Sequence, residues 1–206
     1  MATLEPTPTK LFFEAALKNH VIASDRKKLL LDIASKIVSE YTANNKVYLN
    51  FICTHNSRRS QLAQVWSFFA ANYFQLEGVT AFSGGTEATA FHKNTIKTLQ
   101  DVGFTFDVVD FSHQNPKYSI SFEGTSKPLI GYSKTFDDVQ NPKPYLALTT
   151  CNDADNNCPF IPDALHRFHL PFVDPKIADG SNNEVEMYSK ISGQIAAEIR
   201  VIFAEV

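Results

Sequence analysis

A nearly unbroken apolar run at residues 47–52 limits the fold of this chain more than any other feature. The run reads V-Y-L-N-F-I, and a short polar loop separates it from a stretch with helical periodicity. The apolar residues of that stretch are Leu62, Val65, Trp66, Phe69 and Tyr73. Such a run is typical of a central parallel strand that is buried on both faces. We therefore expect an α/β fold with a parallel sheet.

Strands and helices alternate along most of the chain. Further strands are predicted at 79–82, 106–109 and 145–148, and helices at 9–21, 24–44, 89–102 and 184–203. The alternation breaks between 112 and 144, where the runs 118–122 and 128–132 predict a β-hairpin. The expected organisation is an N-terminal helical extension, 1–45, and an α/β catalytic domain, 46–206, with an insertion at about 112–144.

Size, charge and cysteine content exclude several classes of protein. A chain of 206 residues can bury one sizeable core, and a net charge of -3 provides no basic surface for nucleic acid. No stretch reaches the roughly 20 apolar residues of a membrane span, and no signal peptide is visible. The three cysteines are too few for a secreted disulfide scaffold. We expect a cytoplasmic protein without a nucleic-acid or membrane partner.

The loop after the first strand contains the motif C-x5-R-S, with Cys53 six positions before Arg59. A loop that leads from a strand into a helix directs backbone N–H groups at one point, which attracts an anion. A thiolate at that point would be stabilised as a nucleophile, and an arginine can donate to two oxygens of a tetrahedral oxyanion. Cys53 is the predicted nucleophile, although two fixed positions could also match by chance. The predicted oxyanion-binding residues are Thr54, His55, Asn56, Ser57, Arg58, Arg59 and Ser60.

Two further cysteines, Cys151 and Cys158, lie in a polar segment directly after a predicted strand. They could be buried free thiols, or a redox pair that meets Cys53 and exchanges disulfides with it. A zinc site is a third alternative, with ligands from His55, His113, His166 and His169. The sequence has no C-x2-C or H-x3-H pair of the kind that zinc sites use, so we expect no bound metal.

Asp174 precedes a proline in the run F-V-D-P, where an aspartate is often only a turn residue. If Cys53 attacks an oxyanion, however, an oxygen must leave as water or alcohol. A carboxylic acid within hydrogen-bonding distance would protonate it, which makes Asp174 the candidate general acid.

The segment V-Y-L-N-F-I-C-T-H-N-S-R-R-S-Q resembles the active-site loop of the low-molecular-weight tyrosine phosphatase superfamily. The segment L-T-T-C-N-D-A-D-N-N-C-P-F-I-P is similar to one branch of it, the thioredoxin-coupled arsenate reductases. The runs F-S-G-G-T-E and F-V-D-P match two more family segments, and the likeness covers about 47–111 and 145–206. The resemblance implies a four-stranded parallel sheet flanked by helices. The two N-terminal helices and the hairpin insertion are additions to it, and could form a homodimer contact, cover the site or recognise a different partner.

The resemblance also implies a mechanism without a bound cofactor. Cys53 would attack arsenate held by the loop and Arg59, while Asp174 assists the loss of water. Cys151 would then attack Cys53 and release arsenite, and Cys158 would attack Cys151. Thioredoxin or a similar dithiol protein would reduce the resulting Cys151–Cys158 disulfide.

Three loop positions differ from the family pattern. His55 stands where a glycine is usual, Arg58 where a cysteine is usual, and Gln64 where an acid supports a monovalent cation in some members. Two alternative functions stay open. The chain could be a phosphatase that hydrolyses phosphotyrosine or small phosphate esters through a cysteinyl-phosphate, or a non-catalytic oxyanion-binding protein.

Overall fold

Seven strands and six helices build the described part of the chain. The computed structural model describes residues 6–157 and 160–206. The strands are β1 (Val47–Cys53), β2 (Val79–Gly85), β3 (Phe104–Asp110), β4 (Lys117–Phe122), β5 (Leu129–Gly131), β6 (Tyr145–Thr149) and β7 (Ala164–His169). The helices are α1 (Pro8–Asn19), α2 (Ser24–Asn44), α3 (Arg59–Tyr73), α4 (Lys93–Gln100), α5 (Asn152–Asn157) and α6 (Glu184–Phe203), and a 3₁₀ turn covers Pro175–Ala178.

The main sheet is parallel and has the strand order β2-β1-β6-β7. Its central strand β1 is almost wholly buried, as its apolar run predicts. In the register, Cys53 lies opposite Gly85 of β2, and Ile52 lies opposite Thr149 of β6. The carboxyl ends of three strands therefore meet at one edge, where ligands gather in open α/β sheets. The predicted four-stranded parallel fold is confirmed.

The fourth strand of this sheet is not the one that the sequence pattern indicates. The run 106–109 is a strand, but it belongs to β3 in a separate antiparallel sheet with the order β3-β4-β5. The predicted hairpin forms β4 and β5 of that sheet. The fourth parallel strand is β7, which sequence analysis missed. It lies at the sheet edge and reads A-L-H-R-F-H, half-buried and without an apolar run.

Both predicted N-terminal helices form and pack on the helical layer. Helix α1 begins after Thr7, whose side chain accepts a hydrogen bond from the Lys10 N–H. Its Phe13 is buried and stacks on Trp66 of α3 with ring centroids 5.9 Å apart. Helix α2 buries Leu30, Ile33 and Ile37 in the same apolar core. The helix predicted at 89–102 is shorter, since α4 begins only after His92.

Within the described residues, no helix has both the length and the apolar character that a membrane span requires.

Candidate active site

Cys53 is the last residue of β1, and its thiol lies at the start of the loop that leads into α3. It is 4% exposed, and its Sγ is 3.0 Å from the Ser60 Oγ. In the described part of the chain, none of the backbone N–H groups of 54–60 donates a hydrogen bond to a protein acceptor. Unpaired N–H groups at a helix start form a site for an anion. We refer to residues 53–60 as the oxyanion loop.

Asn56 holds the shape of the oxyanion loop from inside. Its φ is 45°, a left-handed conformation that asparagine adopts more readily than most residues. Its Nδ2 donates to the Ser60 Oγ at 2.9 Å and to the Ser83 Oγ at 2.8 Å. Its Oδ1 accepts from the Lys134 N–H at 2.9 Å. Asn56 is fully buried, so its side-chain amide forms these bonds with protein groups in place of hydrogen bonds with water.

The same contacts fix the direction of the Ser60 hydroxyl. The Ser83 Oγ donates to the Gln64 Oε1 at 2.6 Å, so it can accept from Asn56. The Ser60 Oγ also accepts from Asn56, which leaves its hydrogen free to point at the Cys53 Sγ. A hydroxyl that donates to sulfur stabilises the thiolate. Gln64, which departs from the family pattern, thus supplies a neutral acceptor.

Two segments behind the oxyanion loop bond to its carbonyl groups. The His55 carbonyl accepts from the Thr89 hydroxyl at 2.9 Å and from the Ser133 hydroxyl at 3.0 Å. The Thr54 carbonyl accepts from the Glu87 N–H at 2.9 Å. Sequence analysis did not single out Thr89 or Ser133, because no local pattern reports a contact between residues so far apart in the chain.

The side chains of the remaining loop residues point in different directions. The Ser57 hydroxyl donates to the Ala90 carbonyl at 2.6 Å. The His55 ring is about half exposed and lies 3.8 Å from a Glu87 carboxylate oxygen.

Arg59 and Asp174 form an ion pair at the mouth of the loop. The Arg59 Nη2 donates to the Asp174 Oδ2 at 2.7 Å, and its Nη1 donates to the Phe172 carbonyl at 3.3 Å. The Asp174 Oδ1 accepts from the Lys176 N–H at 3.0 Å, which starts the 3₁₀ turn. The structure therefore brings Asp174 to the loop, and its carboxyl stays 31% exposed.

Arg58 turns away from the oxyanion loop toward α6. Its Nε donates to the Tyr188 Oη at 2.6 Å, and its Nη2 donates to the Asp179 Oδ2 at 2.7 Å. Tyr188 in turn donates to the other Asp179 oxygen at 2.7 Å. Two of the three Arg58 nitrogens thus donate to the Tyr188 hydroxyl and the Asp179 carboxylate.

This cluster changes the pKa values of its members. Burial alone would raise the pKa of Asp179, but the Tyr188 hydrogen bond and the Arg58 charge outweigh it and the pKa is lowered. Burial, more than the hydrogen bond to Asp179, raises the pKa of Tyr188 to about 12. Burial would lower the pKa of Arg58, and its bond to Tyr188 and the charge of Asp179 raise it instead.

Cys151 lies beside the oxyanion loop at the end of β6. Its Sγ is 3.6 Å from the Thr54 Oγ1 and accepts from the Ala154 N–H at 3.4 Å. Cys151 and Cys53 are both buried and both free. Cys158 lies outside the described residues.

The described residues contain no group of three or more histidine, cysteine, aspartate or glutamate side chains that could hold a metal. Three of the histidines considered as zinc ligands contact different neighbours. His166 is 3.6 Å from Glu40, His169 is 3.0 Å from the Thr149 hydroxyl, and the His113 ring packs on Phe111.

Curated relatives similar to this chain are named arsenate reductase. The relative from Halalkalibacterium halodurans is 30% identical over 162 residues, which cover 78% of this chain and 97% of the relative. The one from Bacillus subtilis is 31% identical over 140 residues, which cover 68% of this chain and 81% of the relative. No protein-family model matches the sequence.

Among solved structures, the chain is similar to a low-molecular-weight protein tyrosine phosphatase from T. tengcongensis. The TM-score is 0.53 at 16% identity, and the match covers 78% of this chain and 100% of the other. This likeness shows that the two proteins share a fold.

Proposed function

The chain belongs to the arsenate reductase family with the low-molecular-weight phosphatase fold and is an enzyme, and we propose that Cys53 is its nucleophile. One observation carries the proposal. A buried thiol lies at the start of a loop whose backbone N–H groups are unpaired within the described residues, beside an arginine paired with a carboxylate. A thiol nucleophile needs these groups when it attacks a tetrahedral oxyanion.

In the first step, the N–H groups of the oxyanion loop and Arg59 bind arsenate. The Cys53 thiolate attacks arsenic and forms a sulfur–arsenic bond. One arsenate oxygen takes a proton from Asp174 and leaves as water. Arsenic is still pentavalent at this point, so no electrons have yet been transferred.

In the second step, the Cys151 sulfur attacks the Cys53 sulfur. The sulfur–arsenic bond breaks and its electron pair stays on arsenic, which leaves as trivalent arsenite. The Cys151 Sγ lies 3.6 Å from the Thr54 Oγ1 of the oxyanion loop, and this short distance supports an attack of Cys151 on Cys53. Two thiols have then been oxidised to one disulfide.

In the third step, Cys158 attacks Cys151 and frees Cys53, which leaves a Cys151–Cys158 disulfide. A dithiol protein of the thioredoxin type then reduces that disulfide by the same exchange chemistry. The cycle needs reduced thiols at rest, which a reducing cytoplasm supplies.

Phosphate ester hydrolysis is the second candidate function. Phosphate and arsenate share their shape and charge, and the Arg59–Asp174 pair would serve a leaving alcohol as well as leaving water. The two functions differ in the second and third steps, because only arsenate reduction requires Cys151 and Cys158.

The deciding experiment compares the wild type with Cys151→Ser in a thioredoxin-coupled arsenate assay and in hydrolysis of 4-nitrophenyl phosphate. We expect the variant to lose catalytic arsenite release and to keep slow ester hydrolysis, and Cys53→Ser to lose both. Arsenite release by Cys151→Ser at the wild-type rate would rule out the relay. Full activity of Cys53→Ser would rule out Cys53 as the nucleophile, and a wild type without either activity would favour a non-catalytic oxyanion-binding protein.

A further inference from the structure

We propose that Arg26, in the N-terminal helix α2, is a positioning residue for the segment 171–174 that ends in Asp174. The proposal deepens the proposed function, because it rests on Asp174 as the general acid. Arg26 lies in the first turn of α2, a helix outside the part of the chain that resembles the family.

Arg26 contacts the segment directly before Asp174 in two ways. Its Nη2 donates to the Pro171 carbonyl at 3.0 Å. Its guanidinium carbon lies over the Phe172 ring, 5.1 Å from the ring centroid. One side chain thus holds the main chain of residue 171 and the side chain of residue 172.

Arg26 is itself held in one orientation by Glu198 of α6. The Arg26 Nε donates to the Glu198 Oε2 at 2.8 Å. The Glu198 side chain is 1% exposed, and its Oε1 accepts from the Gln194 Nε2 at 3.1 Å. A carboxylate buried this deeply requires a charged partner, so the pairing fixes the guanidinium plane. His20 lies farther away, at 3.8 Å from Glu198.

Three parts of the molecule meet at Phe172. Its N–H donates to the Thr150 carbonyl at 3.1 Å, and its carbonyl accepts from the Arg59 Nη1 at 3.3 Å. Its ring packs under Arg26. The next residue, Val173, is 55% exposed and so adds little to fix the chain. The position of Asp174 therefore depends on how Phe172 is held.

Loss of the Arg26 side chain should displace Asp174 and leave the oxyanion loop in place. The hydrogen bonds of Arg26 go to Glu198 and Pro171 and not to the oxyanion loop, so binding of the oxyanion should change little. Displacing a reacting group by about 1 Å costs on the order of 100-fold in rate. Because Thr150 and Arg59 still hold Phe172, we expect a smaller loss, of about 10-fold in kcat for arsenate.

The test uses the full-length enzyme with Arg26→Ala and Arg26→Lys. We expect kcat to fall about 10-fold in Arg26→Ala, with the KM for arsenate and inhibition by inorganic phosphate changed less than about twofold. The loss should be greater for phenyl phosphate than for 4-nitrophenyl phosphate, whose leaving group needs less protonation. Arg26→Lys keeps the charge beside Glu198, so it guards against misfolding, and should give a smaller loss of the same kind.

Arg200→Ala is the matched control. Arg200 donates to the Glu14 carbonyl at 3.0 Å and lies over the Phe13 ring at 5.8 Å, so it also joins an N-terminal helix to the core. It should lower the melting temperature and leave kcat and the leaving-group dependence unchanged.

A double variant with Asp174→Asn completes the test. In that background, Arg26→Ala should cause little further loss, because the group that it positions is gone. Wild-type kcat in Arg26→Ala, an equal loss for both esters, or an undiminished loss in the Asp174→Asn background would each overturn the proposal. Failure of the proposed function would look different, as the wild type itself would not reduce arsenate.

Discussion

The oxyanion loop and the segment that carries Cys151 begin at neighbouring strand ends, yet the chain holds them in different ways. The oxyanion loop is fixed from within and from behind. Asn56 and Ser60 are fully buried, and the bonds to the loop come from Ser83, Thr89 and the insertion. A thiolate that must meet an oxyanion in one orientation requires this fixed geometry.

The cysteine segment, residues 150–157, is held at its start by β1 and farther along by Asp155, whose carboxylate accepts from the Thr149 hydroxyl at 2.7 Å and from Arg167 at 2.6 Å. The N–H and hydroxyl of Thr150 donate to the Ile52 carbonyl at 2.7 and 3.0 Å, which joins β6 to β1. Cys151, directly before α5, and Ala154 of α5 are buried, whereas the other residues of α5 face solvent wholly or in part. The comparison teaches that the proposed nucleophile, Cys53, lies at the start of a loop held from several sides, whereas Cys151 lies at the boundary of a polar, solvent-facing helix.

The largest expected effect compares Asn56→Ala with Asn152→Ala, one asparagine from each region. Asn56→Ala removes the bonds to Ser60, Ser83 and Lys134, so the loop should lose its shape. We expect kcat/KM for arsenate to fall on the order of 100-fold. The Asn152 amide contacts the His169 ring at 3.1 Å at the surface, and its loss should change kcat/KM less than about threefold.

Circular dichroism and thermal melting would show that both asparagine variants are folded. Similar activity losses in the two variants would contradict the contrast between a rigid and a tolerant region.

The next effect in size concerns the Ser60 hydroxyl, which lies 3.0 Å from the Cys53 Sγ. Ser60→Ala removes a donor to the sulfur and leaves the Asn56 amide without one acceptor. A hydrogen bond to a charged group is worth about 1.5–3 kcal/mol, so alkylation of Cys53 by iodoacetamide at neutral pH should slow about 10-fold or more. Peptide mapping of the labelled cysteine provides the measurement.

Thr54→Val is the matched change on the cysteine segment, since the Thr54 hydroxyl lies 3.6 Å from the Cys151 Sγ. It should leave the alkylation rate of Cys53 nearly unchanged. An unaltered rate in Ser60→Ala would show that its hydroxyl does not act on the sulfur.

Sequence analysis located the parts of the site that are close in the chain. The spacing of Cys53 and Arg59, the position of Cys151 after a predicted strand and the aspartate before a proline are all local patterns. Since strands of one parallel sheet end at the same edge, their convergence also follows from the fold.

The rest depends on contacts between distant residues, which no local pattern reports. Ser133 and Lys134 bond to a loop that precedes them by 78 residues. Arg26 reaches Pro171 across 145 residues. The orientation of Arg58 toward Tyr188 likewise depends on where α6 packs. Strand β7 was missed because an edge strand needs no apolar run to pair with its neighbour.

The smallest expected effect tests whether the outer side of the oxyanion loop is fixed as well as its inner side. The Tyr188 hydrogen bond and the Arg58 charge lower the pKa of Asp179 in the folded protein, and together they outweigh the partial desolvation of its carboxylate. Because its pKa is lower in the folded state, the ionised carboxylate stabilises the fold at pH values above the pKa of an unfolded aspartate, about 4. This stabilisation is lost as the pH falls through the pKa of Asp179 in the folded protein. We expect Asp179→Asn to reduce the free energy of unfolding by roughly 1 kcal/mol or less at pH 7, and the difference from the wild type to shrink below about pH 4.

Urea unfolding at several pH values measures this difference. Asp110→Asn is the control, because Asp110 pairs with Lys117 at 3.1 Å on the exposed antiparallel sheet. If Asp179→Asn and the control behaved alike at every pH, the Arg58 cluster would contribute no more than an ordinary surface pair, and the rigidity of the loop would come from Asn56 and the segments behind it alone.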